Sequence, residues 1–101
     1  MKKVKITVLE TTFNKNLAEK YAAEGLTACT YNTVGQSFIS NGWQKPAGLC
    51  DNAWKSMQEY VFALSHGGKN FFDGWLKDEN VAIISCNDGT RPVIFKIESL
   101  D

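Results

Sequence analysis

Near the C-terminus two apolar runs meet across Asp88-Gly89, and no other feature narrows the fold as much. An Asp-Gly pair between strand-forming runs signals a β-hairpin. Val81, Ala82, Ile83, Ile84, Ser85 and Cys86 stand before it, and residues 91 to 98 form the return strand. With Asp88 and Gly89 as the turn pair, Cys86 lies opposite Arg91, Ile84 opposite Val93 and Ala82 opposite Phe95, all on one face. The other face pairs Val81 with Lys96, Ile83 with Ile94 and Ser85 with Pro92. That set is less uniformly apolar, so the Cys86 face is expected to be the covered one.

The cover is also legible. Ala53, Trp54, Met57, Tyr60, Val61 and Leu64 recur at spacings of three and four, which predicts an amphipathic helix. Asp51 is its expected N-cap, and Gly67-Gly68 stop it after about residue 66. Ile84, Val93 and Phe95 are expected to pack on Trp54, Met57 and Val61. Upstream, Val4, Ile6 and Val8 alternate with Lys3, Lys5 and Thr7 as a strand, with Leu9 breaking the alternation. Asn14 or Asn16 can cap a short helix over 15–24, with Leu17 and Tyr21 on one side and Gly25 as its stop. A short strand follows around Ser37, Phe38 and Ile39, then a loop marked by Asn41, Gly42, Pro46 and Gly48. The order predicts an α+β fold: a small antiparallel sheet packed against one main helix, with a second short helix. At 101 residues, one domain over 1–101 is expected.

Charge narrows the function classes. Eleven basic residues balance eleven acidic ones, so no net field draws the chain to nucleic acid or anionic lipid. No apolar run approaches the roughly 20 residues that cross a bilayer. The N-terminal MKKVKITVLETTF starts basic like a signal peptide but alternates instead of running apolar, which predicts a strand and a cytoplasmic protein. Three widely spaced cysteines match no disulfide framework, so reduced thiols are expected.

Cys29, the run Gly48-Leu49-Cys50-Asp51-Asn52-Ala53-Trp54 and the run from Cys86 to Lys96 together carry a resemblance. Their pattern resembles that of a family of small, uncharacterised prokaryotic proteins of similar length, whose motifs are Cys-Pro, Gly-Phe-Cys-x-x-Ala-Trp and Cys-x-Asp-Gly-x-Arg-Pro-Val. The resemblance covers nearly the whole chain. Thr30 replaces the family's proline and Leu49 its phenylalanine, and neither change removes a thiol. The resemblance implies no activity.

Geometry prunes the chemistry. Cys50 and His66 flank the predicted helix about 24 Å apart, so they cannot share a metal. The strand 81–86 runs back along that helix over about 17 Å and should deliver Cys86 and Arg91 to the Cys50 end. Cys29 could join them through its loop. A free cysteine is commonly a small buried hydrophobe. Against that, Cys50 at a helix start near Arg91 is placed for a stabilised thiolate, and is expected to be the most reactive thiol. The adjacent Asp51 carboxylate opposes this. No Cys-x-x-Cys knuckle exists, so a metal would need Cys29, Cys50 and Cys86 gathered by the fold. His66 reads as a helix C-terminal cap and Asp88 as a turn residue. Arg91 reads as an ion-pair partner of Asp51 or Asp88, or as an anion ligand. Trp43, Phe71, Phe72 and Trp75 fall in loops, where they either close the core edge or line a partner surface.

The reading that results is a small non-enzymatic binding or accessory module, with Cys50, Trp54, Cys86 and Arg91 as the expected ligand-binding set. The alternative is a cysteine-based metal-binding or redox protein using Cys50, Cys86 and Cys29. No cofactor or substrate is indicated. Nucleic acid and membrane are not expected partners, whereas an unpaired sheet edge predicts a homodimer.

Overall fold

In the computed structural model, which describes residues 1–101, β1 (Val4–Thr11) lies inside the sheet and pairs on both sides. Its alternation decides which side faces inward: Val4, Ile6 and Val8 are buried, while Lys5, Thr7 and Leu9 are half-buried on the other face. A bulge between Val8 and Glu10 accommodates Leu9, the residue that broke the alternation. α1 (Lys15–Tyr21) follows, capped by Asn14, whose side-chain oxygen accepts from Leu17 N–H at 3.3 Å. It is shorter than the predicted 15–24 because Ala22 is already extended. Only Ala18 is buried, so the expected Leu17–Tyr21 side faces solvent.

β2 (Ser37–Ser40), α2 (Asp51–Ser65), β3 (Val81–Ser85) and β4 (Val93–Ser99) complete the fold. The strand order is β2-β1-β4-β3, and every neighbouring pair is antiparallel. This is the predicted α+β arrangement. α2 lays Ala53, Met57, Val61 and Leu64 on one face of the sheet, against Ile6, Val8, Ala82, Ile84, Val93, Phe95 and Ile97 in a single core. Each large side chain so buried contributes roughly 1.5–3 kcal/mol. Trp54 was expected inside this core and is only partly buried at its margin, because it lies off the centre of the α2 stripe.

The hairpin departs from its predicted register by two residues. Ile84 pairs with Phe95 and Ser85 with Ile94, and Cys86 N–H donates to Val93 C=O at 2.9 Å. Cys86 therefore lies opposite Val93 instead of Arg91. A two-residue type I′ turn needs positive φ at both central positions, and Gly89 does not adopt it. Pro92 also lacks the N–H that a longer ladder would use. A shift of two preserves the faces, so Ala82, Ile84, Val93 and Phe95 still point at α2.

The ends of α2 are each one residue from expectation. Cys50, not Asp51, is the N-cap, with extended backbone and no side-chain cap hydrogen bond. At the other end His66 is the C-cap, and Gly67 takes φ +87° while Gly68 N–H donates to Ala63 C=O at 2.8 Å. Lys2 N–H donates to Ser65 C=O at 2.8 Å, so the C-terminus of α2 sits by the start of β1. The N-terminus of α2 therefore lies at the opposite end of the sheet, where β3 delivers Cys86.

Candidate functional site

The predicted site is built by two loops at that end. The first runs from β2 to α2 and buries Leu49 fully. Lys45 spans it, donating to Leu49 C=O at 2.7 Å and pairing with Asp51 at 2.8 Å. The Asp51 carboxylate raises the lysine above its ordinary pKa, and the lysine lowers the aspartate in return. Both groups are exposed, so the pair contributes little to stability. Cys50 and Tyr31 also lie within electrostatic reach of Lys45. Trp54 N–H is the first in α2 with an acceptor, Cys50 C=O at 3.0 Å; the three before it, on Asp51, Asn52 and Ala53, have none within the chain.

The second loop, between β3 and β4, consumes its own polar groups. Asp88 Oδ1 accepts from Thr90 N–H at 3.0 Å, Thr90 Oγ1 at 2.9 Å and Arg91 N–H at 3.2 Å. Asp88 Oδ2 accepts from Arg91 Nε at 3.2 Å. The Thr90 hydroxyl above all holds the Asp88 carboxyl below its usual range, aided by the two backbone N–H groups and Arg91. Cys86 Sγ accepts from Val93 N–H at 3.2 Å, and its thiol points at Arg91 C=O at 3.9 Å. Cys86 and Arg91 thus close the loop on itself.

Of the four expected ligand-binding residues, Cys50 and Cys86 share an end of the sheet, Trp54 stands about a turn inside α2, and the Arg91 side chain is held by Asp88. Cys29, Cys50 and Cys86 are partly buried free thiols that pack on the core, and no three histidine, cysteine or acidic residues form a group that could hold a metal. His66 caps as expected, donating from Nδ1 to Phe62 C=O at 2.8 Å.

The loop aromatics are arranged quite differently. Tyr60 on α2 meets Phe71 edge-on at 5.6 Å and stacks with Phe72 at 5.9 Å, and Phe72 stacks with Trp75 at 6.5 Å. The rings grade outward, from half-buried Tyr60, Phe71 and Phe72 to Trp75, which is 83% exposed. Asn70 and Asp73 take positive φ, and Asn70 Oδ1 accepts from Gly74 N–H at 2.9 Å. Asn70 N–H in turn donates to Glu79 C=O at 2.7 Å, so the loop that presents Trp75 is tied across its base. Sequence reasoning named these aromatics but missed Lys45, because no motif links a loop lysine to a helix start six residues on. It also missed Phe62, whose place outside the apolar stripe was the available signal for an exposed ring.

Comparisons with models of known protein families, with curated proteins and with solved structures find no match.

Proposed function

We propose that the chain is a small non-enzymatic binding module that takes its partner on the ledge of Phe71, Phe72 and Trp75. One observation carries this reading: Trp75 leaves most of its ring in water while stacking in line with Phe72. Left in solvent, such a ring contributes little to folding, and tryptophan is enriched where partners meet. The test is a random-peptide display library panned on the immobilised protein. Selected peptides should bind wild type and Cys50→Ser alike and lose most of their affinity for Trp75→Ala. Peptides indifferent to Trp75, or none at all, sink the proposal.

A second reading is favoured by the start of α2, where Cys50 stands beside unpaired N–H groups and Lys45. In it the chain is a thiol protein with Cys50 as its reactive residue. Alkylation rates followed against pH in wild type and Cys50→Ser decide it, since an ordinary titration for Cys50 ends this reading. Membership of the prokaryotic family resembled by the Cys50 and Cys86 motifs belongs to the proposal, as do a cytoplasmic location and the absence of nucleic acid from its partners. The charge balance supports the last of these. No helix is long and apolar enough to cross a membrane. A homodimer through the unpaired edge of β2 or β3 completes the proposal. Light scattering that returns the 11.3 kDa monomer across the micromolar range removes it.

A further inference from the structure

On the other flank of α2 from the ledge, Trp43, Gln58, Glu59 and Phe62 line an open cleft of about 380 Å³. Phe62 is two residues from Tyr60, which turns it to the opposite side of the helix. The cleft holds two large exposed rings, Trp43 at 58% and Phe62 at 46%, together with one carboxylate. Glu59 enters none of the four ion pairs of the molecule. Lys55, one turn before it, forms no ion pair with it.

The cleft wall is rigidly built. Asn41 Oδ1 accepts from the N–H groups of Trp43 at 3.3 Å and Gln44 at 3.1 Å, and Asn41 Nδ2 donates to Gln44 Oε1 at 3.1 Å. Ser40 Oγ donates to Gln44 C=O at 3.0 Å and accepts from Gly42 N–H at 3.1 Å. Gly42 itself has φ +111°, and a Cβ there would stand 2.5 Å from Ser65 Oγ, so only glycine lets the turn seat this closely on α2. On the helix side, the His66 ring lies 4.2 Å from that of Phe62 and steadies it.

We infer that this cleft binds a small organic cation, a methylated ammonium group, between the aromatic rings with Glu59 as its counter-charge. Aromatic faces carry negative potential and attract cations most strongly when water is displaced. The unpaired carboxylate selects a cation over a neutral apolar group. A guanidinium would have to turn its five N–H donors toward Glu59, Gln58 and water, whereas a quaternary ammonium carries no donor and can set its methyl groups against both rings. The inference stands independently of the ledge.

The experiment follows the Trp43 indole N–H by NMR during titration with choline, with its uncharged carbon isostere 3,3-dimethyl-1-butanol, and with methylguanidine. Choline should give a saturable shift at Trp43, while Trp54 and Trp75 stay still. The isostere should bind roughly three- to thirtyfold more weakly, the range a cation–π contact supplies. Phe62→Ala should abolish the response at Trp43, and Glu59→Gln, an exposed change that leaves the fold intact, should weaken it severalfold. No saturable shift, an isostere that binds as well as choline, or a preference for methylguanidine would each overturn the inference.

Discussion

β3 is entered and left through two loops that treat their side chains in opposite ways. The loop after it engages Cys86, Asp88, Thr90 and Arg91 with one another. The loop before it ends a stack of rings in Trp75, which water surrounds. Chemically the later loop is the more suggestive, since it holds a thiol, a carboxylate and a guanidinium. Its geometry accounts for all three as parts of a turn. A residue with an internal partner is explained by the fold, and Trp75 has far less such explanation. Reactive residue types are therefore weaker evidence of a site than side chains whose exposure the fold does not need.

The comparison presumes that both loops hang on the same core, and the largest expected effect tests that base. Phe95→Ala, which empties a fully buried position in β4, should cost roughly 3–5 kcal/mol. Trp54→Ala, at the core margin, should cost clearly less. Equal urea midpoints for wild type and Phe95→Ala would show that the core is elsewhere.

Breaking the later loop comes next. Asp88→Ala strands four hydrogen-bond donors that are only part-buried, so about 1–2 kcal/mol should be lost. The loop also predicts a pH response. Asp88 is held below its ordinary carboxylate pKa when folded, so its stabilisation is complete above that ordinary value, about 3.9. It is lost as the pH falls through the lower folded value. Urea midpoints at pH 6 and pH 3 should therefore differ more for wild type than for Asp88→Asn. An identical pH dependence in the two proteins would mean that the carboxylate contributes no folding energy.

The smallest effect is the one that most sharpens the contrast. Trp75→Ala should move the urea midpoint by no more than about 0.5 kcal/mol equivalent, as for a surface substitution away from structural features. A loss of 2 kcal/mol would make Trp75 a structural cover for Phe72 and remove the ground for a partner surface.

Most of the architecture was already written in local patterns. The Val4–Val8 alternation, the three-and-four spacing from Ala53 to Leu64 and the flanks of Asp88-Gly89 each specify an element and its inward face, because periods of two and of 3.6 are properties of the backbone. Even the register error kept every hairpin side chain on its proper face, since the slip was an even number of residues. The order β2-β1-β4-β3 was not written there, for it depends on which edges meet once α2 covers the sheet. The same is true of the candidate sites. Lys45 beside Cys50 and Trp43 beside Phe62 are consequences of loops whose paths are set by hydrogen bonds to distant or neighbouring backbone, whereas the pair of Arg91 with Asp88, three residues apart, was one of the two pairings expected from the sequence. Residue type alone announced thiols, a guanidinium and aromatics; only tertiary packing decided which of them were left without a partner.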